Sequence, residues 1–548
     1  MRYIADEKSD LFLKAYRSFL SSEGEMSIDQ IIRLYKQMVP GLHKGASSSE
    51  VDLAAFIYAF LRLPAVMEGV KKIVLAQTDE IFERAGIVIA EWEGVDAPAR
   101  RRKMFFDRED TLAIFINSVT DVDDLIGLLT VFQIEWNKMH DKLQTEKVSF
   151  SDSEQIQKVL GITDEFWEKL YLLWKDRIED QLVAIRAKKI DFRLTLLRGS
   201  YIDYKKAAQQ WFDNIVEVTR YKDLRTRPVY FVSSNMHSLV NTITGWVNSL
   251  EEELLQYLRD KKMQKLLEYW DKINTGEHPG NKENFLWYIL KKYEKEYPEV
   301  KKKQISFENE LGIDYIEARH YLDINVQVLS LASLVKSDLP KKLHKDLKKL
   351  QQSDALLVNI DYPLGFGAYM VLSTFLQNVS NVKGIYILGK ASFLNGSLGD
   401  IGLPTTIYDV NSKNTYIIKN AFSRKYFSEF KSGSILTDQK SLSTEGTLLH
   451  SEDVIQEYFL QDFTIVEMEN GSYLNAVYET TKYDRYPENE TTSLFACPID
   501  IGIIHYASDV PFTKAITLGT RNLGYEGVEG TYVSSLAILK RIIEVETK

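Results

Sequence analysis

Beyond Gln352 the chain alternates short, continuous apolar runs with segments of helical periodicity, and that alternation restricts the fold more than any other feature. Residues 355–360 (Ala-Leu-Leu-Val-Asn-Ile) read as a strand, 368–376 as a helix, and 384–388 as a strand. A strand ending in Ile465-Val466-Glu467-Met468 follows, then a helix from Gly471, a strand over 501–507 and a helix over 532–544. Strands without polar alternation are covered on both faces, so the pattern predicts a three-layer α/β unit with a mixed, mostly parallel sheet. In such folds ligands gather outside the carboxyl ends of the strands, which makes the polar residues there the candidates for chemistry.

The first part of the chain has a different texture. From Asp10 to about Gln209, apolar residues recur every three or four positions and Gly and Pro are sparse, which predicts an all-α domain over 1–205. Val51 to Phe60, with Leu53, Phe56, Ile57 and Phe60 on one face, and Glu165 to Ile185 are expected helices, with starts at Ser151-Asp152-Ser153 and Thr163-Asp164. The α/β unit is expected over 206–548. Its opening strand is placed at Val229-Tyr230-Phe231-Val232, with helices inserted over about 241–303 and a loop at Asn274–Asn281. Residues 322–334 are apolar but ambiguous between strand and helix.

At 548 residues the chain exceeds one ordinary core, and at least two domains are expected. The formal charge of −10 argues against nonspecific nucleic-acid binding, which needs a concentrated cationic surface, while leaving room for a local basic patch. A single cysteine, Cys497, excludes an intramolecular disulfide and a multi-cysteine metal site. Charge enters by Arg2, Asp6, Glu7 and Lys8, before a signal-peptide core can develop, and no uninterrupted apolar stretch is of transmembrane length. A cytoplasmic protein without a membrane partner is the expectation.

Four strand ends carry the candidate chemistry. Gly365 and Gly367, in Asp361-Tyr362-Pro363-Leu364-Gly365-Phe366-Gly367, let backbone amides approach a ligand at a helix start. Leu388-Gly389-Lys390-Ala391-Ser392 reads as a strand running into a small-residue turn, followed by Gly399-Asp400-Ile401. Glu467-Met468-Glu469 puts two carboxylates at a strand-to-helix junction, and Ser508-Asp509 follows the strand over 501–507. Taken singly, Glu469 and Asp509 are equally readable as helix caps.

In order and spacing, these segments resemble the nucleoside phosphorylase and nucleosidase superfamily, which includes purine nucleoside phosphorylases, methylthioadenosine nucleosidases and AMP nucleosidases. The resemblance spans about 354–509, through the two glycine turns, Gly399-Asp400-Ile401, Met468-Glu469 and Ser508-Asp509. It implies cleavage of a purine ribosyl C1′–N bond, by phosphate or by water. Glu469 would hold the ribose hydroxyls and Met468 pack on the sugar. Asp509, positioned by Ser508, would protonate the leaving base, and Glu467 would face either the pocket or a neighbouring strand. Ser234, Asn235 and His237, after the proposed first strand, would occupy the turn that supports phosphate or the attacking water; the alternative is a plain helix entry at Ser-Ser-Asn, with His237 a capping or core histidine. Against the pattern, Lys390 stands where the family has a small or hydroxyl residue, and Ile387 where some phosphorylases carry an arginine. Lys390 is then either a cation for inorganic phosphate or a nucleotide phosphate, or an inward lysine paired with an acid. No cofactor or metal is implied, inorganic phosphate is the candidate co-substrate, and a homo-oligomer is what the resemblance implies.

In the first part of the chain, Arg100-Arg101-Arg102-Lys103 reads as a solvated surface, with phosphate or an acidic partner as the alternative. The Lys- and Glu-rich stretch 291–303 likewise reads as a solvated helix surface. Asp121, Asp123 and Asp124, and Glu135 with His140, are not spaced for a metal. The preferred function is N-glycosidic bond cleavage on a nucleoside or nucleotide. The alternatives are a non-catalytic nucleotide sensor retaining the fold, and a structural protein using the fold for assembly alone.

Overall fold

The structure, a computed structural model, describes residues 7–22, 24–145, 148–197, 201–277, 281–318, 322–339, 343–482, 488–510 and 529–548. Residues 1–6, and 278–280 of the expected loop, lie outside them.

The first part of the chain is not all-α. Its strands β1 (Glu25–Ser27), β2 (Lys72–Ala76), β3 (Glu93–Ala97), β4 (Arg100–Phe106), β5 (Thr111–Phe115) and β6 (Arg193–Leu196) form a sheet in the order β1-β6-β2-β5-β4-β3. The central strands explain why periodicity misreads them. In β2 and β5 the last four residues are all buried, so neither shows the alternation that marks a half-exposed strand. The expected helices are present around this sheet. Leu53–Phe60 is buried on every side and capped by Asp52, which accepts from Ala55 N. The expected helix over 165–185 is interrupted: Asp164–Trp174, capped by Thr163, and Ile178–Ala187 are separated by a 3₁₀ turn at Lys175–Arg177.

The remaining strands are β7 (Pro228–Ser234), β8 (Ile313–Ile316), β9 (Val326–Ser330), β10 (Leu356–Asp361), β11 (Asn381–Phe393), β12 (Ile401–Asp409), β13 (Thr415–Ile417), β14 (Ile435–Ser443), β15 (Phe463–Glu467), β16 (Thr491–Ser493) and β17 (Asp500–Asp509). They form one mixed sheet in the order β16-β13-β12-β14-β15-β11-β7-β10-β9-β8, with β17 joining β11 to β12. The pairs β11–β15, β15–β14, β14–β12, β12–β17 and β17–β11 close a five-stranded ring. Residues 322–334 resolve into β9 and a 3₁₀ segment, Leu331–Lys336.

The ring depends on the length of β11. Its first half pairs with β7 through Ile387, and its last residues, Ser392 and Phe393, pair with β15. The turn expected at Gly389-Lys390-Ala391 is therefore absent, and the strand runs straight through it. A register shift between Ala391 and Ser392 against β17 lets β11 bend from one partner to the other.

Two apolar clusters fill the faces of the large sheet: one holds Phe231, Val358 and Phe375, the other Leu357, Leu388 and Ile538. Between β7 and β8, six helices from Ser238–Thr244 to Glu299–Glu310 carry a core of their own around Leu258, Trp270 and Phe285. No helix among the described residues is long and apolar enough to cross a membrane.

Candidate functional site

β15 ends at Glu467, and the helix Asn470–Thr481 begins three residues later, so its first amides must find acceptors in a very short span. Glu467 supplies them. Its Oε2 accepts from the amides of Glu469 (2.7 Å) and Asn470 (2.8 Å). Its Oε1 accepts from the hydroxyls of Ser441 (2.8 Å) and Ser443. Glu469 sits at the N-cap position without a side-chain capping bond. Its carboxylate is only 5% exposed and has one long contact, from Met468 N at 3.3 Å. Burial, reinforced by the Glu467 charge, holds the Glu469 carboxyl well above the usual range. Behind it, Asn470 Nδ2 lies 2.7 Å from His505 Nε2 and straps the helix start to β17. Burial pushes His505 down to about 4, so the ring is a neutral acceptor there.

Asp509 ends β17 opposite Ser392, and Ser508 Oγ donates to its Oδ2 at 2.8 Å. Asp509 and Glu469 line one cavity of about 940 Å³. Ser508, Met468 and Glu467 line it as well, as do Gly389 and the exposed Lys390. So do Ser234, Asn235 and His237. In that turn the polar groups are largely committed to the protein. Ser234 Oγ donates to Asn359 Oδ1 at 2.6 Å, and Asn235 Oδ1 accepts from the amides of His237 (3.0 Å) and Ser238 (2.7 Å). His237 stacks on Trp287 at 4.7 Å between ring centroids.

Gly365 and Gly367 do not join them; both lie outside the cavity wall. Gly365 has φ +45°, and a Cβ there would meet Thr120 Cγ2 at 2.5 Å; Thr120 Oγ1 accepts from Phe366 N at 3.0 Å. These glycines admit the start of the helix Val119–Thr145 from the first part of the chain, a close approach of protein rather than ligand.

That first part also supplies residues that the sequence reading left out of the site. Tyr58, Arg62, Arg100, Arg102 and Asp121 all line the cavity. Arg100 and Arg102 are thus wall residues rather than a solvated patch. Arg102 donates to Asp121 Oδ1 from Nε (3.2 Å) and Nη2 (2.8 Å), and Arg100 Nη2 lies 3.0 Å from Asp124 Oδ2. The Arg100 guanidinium draws the Glu469 carboxyl downward, against the larger effect of burial. The signal was present as a basic run and an acidic run; periodicity gave no reason to pair them. Asp123 goes elsewhere, to Tyr16 and Arg17. Glu135 meets His43 at 2.7 Å, whereas His140 Nδ1 lies 2.8 Å from Ile185 O. Among the described residues no His, Cys, Asp and Glu cluster could hold a metal ion.

The inserted helices close the remaining side, with Trp287, Tyr288, Lys291, Lys292 and Lys295 in the wall. The stretch 291–303 is therefore solvated on only part of its surface.

Among solved structures, uridine phosphorylase from Vibrio fischeri is similar at 10% identity, over 44% of this chain and 88% of that one, with a TM-score of 0.28. The 5′-methylthioadenosine/S-adenosylhomocysteine nucleosidase from Neisseria meningitidis is similar at 13% identity, over 44% and 93%, with a TM-score of 0.28. A methylthioadenosine phosphorylase from an antarctic soil metagenomic library is similar at 9% identity, over 39% and 74%, with a TM-score of 0.25. No curated protein matches this chain in sequence. One family model matches residues 28–544, nearly the whole length, and by that match the chain belongs to the family of unknown function DUF6909.

Proposed function

We propose that the chain binds a purine nucleoside or nucleotide in this cavity and cleaves its ribosyl C1′–N bond. The observation that carries the reading is the placement of Glu469 and Asp509, from the ends of two strands of one ring, on a single cavity with Ser508 hydrogen-bonded to Asp509. Glu469, relieved of capping by Glu467, has oxygens free for the ribose hydroxyls. Positive charge developing on the sugar favours the ionised carboxylate over the neutral form that burial favours, so the attraction grows toward the transition state. Asp509 delivers a proton or hydrogen bond to the departing base, which then need not leave as an anion. The nucleophile is water or phosphate, approaching from the side of Lys390 and the turn after β7.

A sensor without turnover is the second reading, and it draws on the Ser234-Asn235 turn, whose hydroxyl and amide oxygen are already bonded to protein. Incubation with a panel of nucleosides and nucleotides, with and without phosphate, followed by chromatography for free base, separates the two. Released base supports cleavage. A raised melting temperature without base supports the sensor, because a ligand that binds only the folded state stabilises it. Neither effect, across the panel, sinks both.

A further inference from the structure

The helix Lys282–Glu296 presents Asn284, Trp287, Tyr288, Lys291, Lys292 and Lys295 to the cavity. These positions recur at three and four residues and form one stripe, while Phe285, Leu286, Ile289 and Leu290 on the other side fill the core of the inserted helices. The stripe carries three lysines, of which Lys291 and Lys295 are exposed at the cavity and Lys292 is half-buried. Lys291 is paired with Glu294 at 2.9 Å and lies over the Trp287 ring at 4.3 Å. Glu296, the carboxylate beside them, is taken by Lys261 at 2.6 Å and by the Tyr257 hydroxyl at 2.9 Å. Lys292 and Lys295 have no carboxylate partner among the described residues. Burial holds Lys292 below the usual lysine value, and no neighbouring charge offsets it. Arg100 and Arg102, which also line the cavity, differ in this respect, since Asp121 and Asp124 pair with them.

Resting on the nucleoside reading above, we propose that the ligand is a nucleoside bearing a phosphoryl group on its sugar, and that Lys292 and Lys295 meet that group. The stacking of His237 on Trp287 joins the lysine stripe to the turn after β7, so the anion position is contiguous with the strand-end site. The cavity has room for the larger ligand: at about 940 Å³ it lies near the top of the roughly 300–1,000 Å³ range of small-molecule sites. A phosphoryl oxygen brought beside Lys292 gives that partly desolvated ammonium charge-assisted hydrogen bonds.

Calorimetric titration of the full chain with nucleosides, with their 5′-monophosphates and with inorganic phosphate tests the proposal. The expected result is a monophosphate bound at least about tenfold more tightly than its nucleoside, with that ratio reduced about threefold in Lys292→Gln and brought to about one in Lys292→Gln with Lys295→Gln. Equal affinities for nucleoside and monophosphate in the unsubstituted chain, or a ratio that survives the double substitution, overturns it. So does a lysine-dependent affinity for inorganic phosphate with no preference for the nucleotide, which assigns the lysines to a free anion. Nucleosides that bind without preference remove this inference alone; a panel in which nothing binds removes the nucleoside reading with it.

Discussion

Glu467 and Glu469 stand two residues apart, and the donors around them decide which is free to meet a ligand. Four donors saturate Glu467, while Glu469 keeps one long contact and faces the cavity. The strand-to-helix junction and its two acids were legible in the sequence, but the division of labour was not, because it is set by Ser441 and Ser443 on another strand. A half-buried acid, Glu445, reports on the contact between the two parts of the chain. Glu445 lies 3.7 Å from Arg17, and burial lifts it from the ordinary 4.5 to about 7. Below the lower value it is protonated whether the chain is folded or unfolded. Between the two values the folded chain holds a proton that the unfolded chain releases, so stability falls as pH rises through that window and is level above it. The total is on the order of 3 kcal/mol. Denaturant unfolding at pH 5 and pH 8 should show this loss in the unsubstituted chain and a smaller one in Glu445→Gln. An identical loss in both would assign the slope to other groups.

At the scale of elements, sequence periodicity found outer helices and the strands β7, β10, β11, β15 and β17 of the large sheet, but missed β8, β12, β13, β14 and β16 and the whole first sheet. β2 and β5 present short buried runs that a helix interior could equally contain, and only their partners make them strands. It also misread β11, where small residues at Gly389 and Ala391 looked like a turn. Gly389 pairs with His505 across the β11–β17 ladder, and a Cβ there would stand in ordinary contact with the imidazole at 3.5 Å, so neither a turn nor crowding dictates the glycine. Gly365 is a stricter case, with positive φ and Thr120 pressed against it. Gly365→Ala should lower stability by about 1–3 kcal/mol through overpacking and backbone strain, read as a lower denaturation midpoint. Combining it with Thr120→Ser, which removes the crowding methyl group, should restore part of the loss. No rescue would assign the cost to backbone strain together with the Thr120 Oγ1 and Cβ, which serine retains.

For the whole molecule, three portions of the chain converge on one cavity: the first sheet with its helices, the inserted helices, and the strand ends of the large sheet. Backbone hydrogen bonds tie the first part to the rest, from Gly41 N to His450 O (2.9 Å) and from Glu452 N to Val39 O (3.0 Å). Leu448 and Leu449 complete the packing by entering the core of the first part. The first two hundred residues, whose role the sequence left open, thus form a wall of the candidate site and bring Arg100 to bear on Glu469. The most direct test is the rate of free-base release from the nucleotide or nucleoside that binds best, measured for the unsubstituted chain, Glu469→Gln and Asp509→Asn. Asp509→Asn should lower kcat by roughly 10²–10⁴-fold with little change in KM, the loss expected for a general acid. Glu469→Gln should weaken binding of the sugar, raising KM, and should also lower kcat, because the carboxylate's attraction for the developing sugar charge is lost. Base release that both substitutions leave unaltered would contradict the assignment of this cavity as the active site.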